Sequence, residues 1–201
     1  MSTGLLVLNF DDVQRMSVEL AQKVEEKPDL VVFVAKGSYL IGRAIAEYFK
    51  TPLLEIKAER QGNRFKRKIQ PLLCYLPDRL KTWLHKKEMK AGIHTRNSDR
   101  QVSIDVPDRL KENEFKRILL VDDSIDTGNT ILSAKNGLGK LYPQAIVNTA
   151  AFFVFDMSKA IVKTDYWLYG DTIFSAPWSS DSRYYKEFIS EYEKYKSGEA
   201  L

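Results

Sequence analysis

Apolar and polar positions along the chain switch between two periods. Leu5-Leu6-Val7-Leu8 is a short apolar run suited to a strand, and Val13, Met16, Leu20 and Val24 follow at helical spacing. Asp11 is the expected N-cap of that helix, with Gln14 at the capping-box position, and the helix is expected to reach residue 26. Leu30-Val31-Val32-Phe33-Val34 is a β-branched run of the kind that buries both faces in a parallel sheet, and Ala35-Lys36-Gly37-Ser38 breaks it. Leu40, Ile41, Ala44, Ile45, Tyr48 and Phe49 then mark a second helix, before Leu53-Leu54-Glu55-Ile56 as a third strand.

The alternation stops there and resumes at Arg117. Pro71 and Pro77 limit any continuous helix in between. Arg117 to Val121 reads as a strand; Ile131, Ala134, Leu138 and Leu141 share one helical face; Ala145 to Val154 is another strand. Tyr184, Phe188, Tyr192 and Tyr195 stripe a last helix, read as a packing or subunit surface. Strands alternating with helices predict an α/β fold, a parallel sheet flanked by helices with right-handed crossovers. The expected organisation is one domain over residues 1–201, with a basic insertion at 60–115 and a C-terminal flap and helix at 165–201.

Length and composition narrow the class. A chain of 201 residues can bury a core without staples, and no apolar run approaches a membrane span. The N-terminus lacks the basic and apolar regions of a secretory signal, and Cys74 is the only cysteine, so a cytoplasmic protein without an intrachain disulfide is expected. The net charge of +4 is local: residues 57–100 hold 13 Lys and Arg against 4 Asp and Glu, whereas the remainder holds 18 against 23.

The densest chemistry follows the Arg117 strand. In open parallel sheets, ligands bind beyond the carboxyl ends of the strands. Asp122 and Asp123 end an apolar strand there, and a pair of acids can hold a polyol or a divalent cation. Thr127-Gly128-Asn129-Thr130 then turns tightly into a helix, offering two hydroxyls and free N–H groups to a small anion such as phosphate. Taken singly these are a solvated helix entry and an ordinary capped turn; their order points to a phosphate on a diol-bearing sugar.

The run from Val121 through Asp122-Asp123-Ser124-Ile125-Asp126-Thr127-Gly128-Asn129-Thr130 resembles the signature of type I phosphoribosyltransferases, with every position of that pattern matched. The resemblance implies the fold of that family and a substrate, phosphoribosyl pyrophosphate (PRPP), bound with Mg2+. It implies that Asp122 and Asp123 hold the ribose hydroxyls with the metal nearby, that Thr127, Gly128, Asn129 and Thr130 hold the 5′-phosphate, and that Asp126 is the catalytic proton acceptor near the base. Lys36-Gly37-Ser38 resembles the family's pyrophosphate loop, in which a cis bond, here between Ala35 and Lys36, presents N–H groups to the leaving group. The likeness is closest to xanthine-guanine and hypoxanthine phosphoribosyltransferases, which implies purine salvage and a homo-oligomer, dimer or tetramer.

By the same resemblance Ile173 or Phe174 covers the base and Trp178 supports the loop, although both apolar residues also suit the core of a flap. Two departures concern the base. The lysine that contacts the purine oxygen is replaced by Phe155 or Asp156, and Ser179 stands for an aspartate, with Asp181 close by. Arg64, Lys66, Arg67, Lys68, Lys81, Lys86, Lys87 and Lys90 fall where the family carries a mobile loop; a solvated insertion is the alternative. Phe65, Tyr75 and Trp83 among them could suit RNA, but no RNA module is recognisable, so neither nucleic acid nor membrane is an expected partner. Cys74, His85 and His94 match no zinc spacing, Gly139-Lys140 is no P-loop, and a single Asp126-Thr127-Gly128 makes no intrachain protease dyad. The expected activity is transfer of ribose 5-phosphate to a nucleobase, with a PRPP-binding regulator lacking turnover as the alternative.

Overall fold

A computed structural model describes residues 6–34, 36–60, 100–104, 106–107, 110, 113–159 and 161–198. Within these, the elements run β1 (Leu6–Val7), α1 (Phe10–Gln22), β2 (Leu30–Val34), a 3-10 turn (Lys36–Ser38), α2 (Tyr39–Phe49), β3 (Leu53–Arg60) and β4 (Arg100–Ile104). There follow β5 (Arg117–Ile125), α3 (Asn129–Leu141), β6 (Ile146–Val154), a second 3-10 turn (Asp156–Ser158), β7 (Tyr166–Gly170), β8 (Phe174–Ser175) and α4 (Tyr185–Ser197). Residue contacts separate residues 1–57 and 102–201 from residues 58–101. The basic side chains between Arg64 and Lys90, with Cys74, His85 and His94, lie outside the described residues.

The expected α/β architecture is present. Six strands form one sheet in the order β4-β3-β2-β5-β6-β7, and the pairings β2–β3, β2–β5, β5–β6 and β6–β7 are parallel. From β2 the chain moves outward to β3 on one side, and from β5 outward to β6 on the other. The order therefore reverses between β2 and β5, which opens a crevice at their carboxyl ends. A small second sheet pairs β1 with β8, tying Leu6 to Phe174 near the two ends of the fold.

The core follows from the apolar runs. All five residues of β2 are buried, as are Ile118 to Val121 of β5 and Ala150 to Val154 of β6. Helix α2 sits close on the sheet because Gly42 faces Phe33: a Cβ at Gly42 would lie 2.8 Å from that of Phe33.

Several boundaries differ from the sequence expectation. Helix α1 is capped by Asn9 rather than Asp11: Asn9 Oδ1 accepts from Asp12 N at 2.9 Å, and Asp12 Oδ2 accepts from Asn9 N at 3.2 Å. The box lies two residues earlier because Asn is as good a cap as Asp, and Asp12 supplies the return bond. The helix stops at Gln22, where Lys23 and Val24 donate to carbonyls only three residues back. Strand β5 runs four residues past Val121. Its pairing with β2 ends at Phe33–Val121, but apolar β6 continues alongside as far as Ile125–Val154. The aromatic stripe of α4 is a packing surface: Phe188 is fully buried, and Tyr195 packs against Phe33 and Tyr39 at ring separations of 5.7 and 4.9 Å.

Candidate active site

Asp122 and Asp123 lie on the stretch of β5 that extends beyond its pairing with β2, beside the turn that leaves β2. The two carboxyls interact with each other and otherwise have different partners. Asp122 Oδ1 accepts from the Ser38 hydroxyl at 2.8 Å and from Asp123 N at 3.0 Å. Asp123 N also donates to Ser38 Oγ at 3.0 Å, so Ser38 clips the β2 turn directly to β5. Asp123 Oδ1 accepts from Ser124 N at 2.8 Å, and Oδ2 accepts from the indole Nε1 of Trp178 at 2.6 Å.

Among the described residues every donor to this pair is neutral. Burial, and then the neighbouring charge of Asp123, hold the Asp122 carboxyl well above the usual carboxylate range, against the opposing bonds from Ser38 and Asp123 N. Burial likewise raises Asp123, offset by its bonds from Ser124 N and Trp178. A cation, or the hydroxyl donors of a sugar, would relieve both effects.

Gly128 closes the other side of the site. It has φ +78, the left-handed region, and a Cβ there would lie 2.6 Å from Val162 Cγ1. It stands at the N-cap of α3 and, having no side chain, leaves the first-turn N–H groups of α3 without a side-chain cap from that position. Thr130 is buried, and its Oγ1 has no hydrogen-bond partner among the described residues. Asn129 Nδ2 donates to Thr127 Oγ1 at 3.4 Å, a weak bond that loosely braces the turn. Asp126 is exposed and accepts from the Ser124 hydroxyl at 3.4 Å.

Lys36, Gly37 and Ser38 form the turn facing the acid pair. Gly37 permits a close approach, since a Cβ there would lie 3.2 Å from Asp123 Oδ2 and 3.3 Å from Trp178 Cδ1. Lys36 Nζ donates to the Tyr185 hydroxyl at 2.9 Å and lies 5.2 Å from that ring's centroid. The expected cis bond involves Ala35, which lies outside the described residues.

The residues expected to meet the base divide. Phe174 stacks on Phe153 with centroids 4.1 Å apart, whereas Ile173 is 71% exposed. Ser179 Oγ accepts from Ala176 N at 3.0 Å within a tight turn, and Asp181 is exposed. Of Phe155 and Asp156, either of which takes the place of the lysine in the resemblance, Asp156 begins a 3-10 turn; its N–H donates to Asp171 and its carboxylate accepts from Lys159 Nζ at 2.6 Å. Two contacts escaped the sequence reading, Trp178 with Asp123 and Tyr185 with Lys36. They span 55 and 149 residues, and no local spacing signals a partner so distant.

No curated protein matches the chain by sequence. Among solved structures it is similar to a purine phosphoribosyltransferase from Pyrococcus horikoshii, with a TM-score of 0.59 at 20% identity over 88% of this chain and 95% of that one. It is also similar to a Helicobacter pylori xanthine-guanine-hypoxanthine phosphoribosyltransferase, with a TM-score of 0.64 at 18% identity over 93% and 99% of the two chains. A Neisseria gonorrhoeae protein solved with bound ppGpp gives a TM-score of 0.59 at 16% identity over 94% and 96%. At these identities the likeness is one of fold. The family model described as phosphoribosyl transferase domain matches residues 7–184, a span that takes in the crevice, the acid pair and the Gly128 turn, and the chain belongs to that family.

Proposed function

We propose that the chain is an enzyme that transfers ribose 5-phosphate from PRPP to a ring nitrogen of a nucleobase, a purine first among candidates, with release of pyrophosphate. The observation that carries this reading is the Ser38–Asp122 bond, which brings the β2 turn and the acid strand together at the point where strand order reverses. A sugar seated there meets carboxylates on one side and, at the start of α3, unpaired amides on the other. The orphaned Thr130 hydroxyl suits a phosphate acceptor, because a buried donor without a partner costs stability until a ligand completes it.

The donor set suits Mg2+. Two carboxylates are hard oxygen ligands, and Mg2+ usually takes one or two of them together with substrate phosphates. Among the described residues no group of three His, Cys, Asp or Glu forms a dedicated cage, so the substrate would complete the coordination. When bound, the ion would neutralise charge on the diphosphate.

The chain's own groups supply orientation and electrostatics. Asp122 Oδ2 accepts none of the hydrogen bonds described above and would take a ribose hydroxyl. The Gly128–Thr130 turn would fix the 5′-phosphate, and the Lys36–Ser38 turn would face the departing pyrophosphate. Asp126, exposed beside the phosphate turn, would accept the proton released from the base. Ile173 would cover one face of the base.

The test is pyrophosphate release from PRPP and Mg2+ across a panel of purine and pyrimidine bases. Release with one or more bases is expected. Saturable Mg2+-dependent PRPP binding without release from any base would instead establish a PRPP-binding regulator, and absence of PRPP binding would defeat both.

A further inference from the structure

We propose that Trp178 and Tyr185 are positioning residues that hold the acid strand and the β2 turn in register for the sugar phosphate. This rests on the PRPP reading above. Trp178 touches both walls at once: its indole N–H donates to Asp123 Oδ2 at 2.6 Å, and its ring lies against Gly37, leaving only the room that a glycine needs. Seven residues on, the Tyr185 hydroxyl accepts from Lys36 Nζ, the residue beside that glycine.

The segment that carries them is held firmly. Phe174 and Ser175 of β8 pair with Leu6 and Val7 of β1 on one side of it. Between the two residues the chain is a series of tight turns: Ser179 N donates to Ala176 O, Ser182 N to Ser179 O, and Tyr185 N to Ser182 O, at 2.8, 2.9 and 3.1 Å. On the other side α4 is fixed by buried Phe188, by an Arg43–Glu191 ion pair at 3.1 Å, and by Tyr192 and Lys196 on Glu55. A bracket anchored on both sides can fix a carboxylate and an ammonium before a ligand arrives, which lowers the ordering cost of binding.

The two contacts differ in strength. The Trp178 bond is short, part-buried and made to a carboxylate, so its loss is expected to weaken binding roughly tenfold or more. The Lys36–Tyr185 contact is exposed, and Tyr185→Phe keeps the ring beneath the ammonium, so roughly twofold to threefold is expected there.

The experiment measures the Kd for PRPP with Mg2+ by calorimetry, and the melting temperature, for wild type, Trp178→Phe, Tyr185→Phe and Glu191→Gln. Weaker binding in the first two with little change in melting temperature is expected, whereas Glu191→Gln, which releases one anchor of α4, lowers the melting temperature and weakens binding less than Trp178→Phe does. Should Trp178→Phe not fold, a double-mutant cycle decides. The effect of Tyr185→Phe should vanish in a Lys36→Met background if Tyr185 acts through Lys36. Wild-type affinity or tighter binding in the folded aromatic variants overturns the proposal while the PRPP reading stands; absence of binding by wild type overturns both.

Discussion

Glu55 on β3 and the Asp122–Asp123 pair on β5 lie on the two strands that flank β2, and their partners are of opposite kinds. The Glu55 side chain is only 9% exposed, yet it receives the Lys196 ammonium at 2.6 Å as well as the Tyr192 hydroxyl. Burial and the bond to Glu55 push the Tyr192 hydroxyl up, so it stays protonated as a donor. Asp122 and Asp123 receive a hydroxyl, an indole and backbone amides, with no cation bonded to them among the described residues. A carboxylate that serves the fold is neutralised by its own chain, whereas a buried pair with neutral donors is a candidate site for a ligand.

The double substitution Asp122→Asn with Asp123→Asn breaks the contrast most sharply. Asn at 122 retains an acceptor for Ser38, and Asn at 123 retains one for either Trp178 or Ser124 N but not both; the pair loses both charges, so PRPP affinity is expected to fall more than about a hundredfold. The free protein should become more stable. Both carboxyls have folded pKa values above their ordinary value, so the wild type is unpenalised below that value and loses stability as pH rises through the raised ones. The variant lacks that loss, and the gap in melting temperature should open from acid to neutral pH. A variant less stable than wild type at neutral pH, measured by thermal melting, would mean that the pair is structural.

Lys196→Met tests the opposite side. It leaves Glu55 shielded without its cation, and a loss of about 1–3 kcal/mol is expected, discounted because Lys196 is 41% exposed. PRPP affinity should change little, since the Tyr192 hydroxyl still bonds Glu55 and buried Phe188 keeps α4 seated. Urea denaturation and calorimetry read the two quantities separately. A stability gain on losing Lys196 would remove the distinction between the two acid sites.

The same contrast explains what was legible in the sequence. The β2 and β5 runs and the helical stripes of α1, α2 and α3 are local periodicities, and each reports its own burial, so the parallel α/β fold could be read directly. The turn from Asp122 to Thr130 was legible because its chemistry is contiguous. What lay hidden is pairing across the chain: Trp178 with Asp123, Lys196 with Glu55, and the β1–β8 pairing. The extension of β5 to Ile125 was also invisible, because Asp122 to Ser124 are poor strand formers carried by their register with β6. Asn9 was passed over as a cap because Asp11 also fits a cap locally, and only the reciprocal bond to Asp12 separates them.

Thr130→Val carries the smallest expected effect on the fold and the narrowest test of the site. Thr130 is buried in the first turn of α3, and its hydroxyl has no partner among the described residues. Valine has nearly the same shape and removes a desolvated polar group, so stability should stay within about 0.5 kcal/mol or rise. If that hydroxyl completes its bonding on a phosphate, PRPP affinity should fall by roughly tenfold to a hundredfold, the worth of one hydrogen bond to a charged group. Inorganic phosphate, which tests the anion cup without the ribose, should weaken in parallel, whereas the effect of the double Asn substitution should be confined to the sugar-bearing ligand. Equal loss of both ligands in both variants would mean that the acid pair and the phosphate turn are not separate subsites.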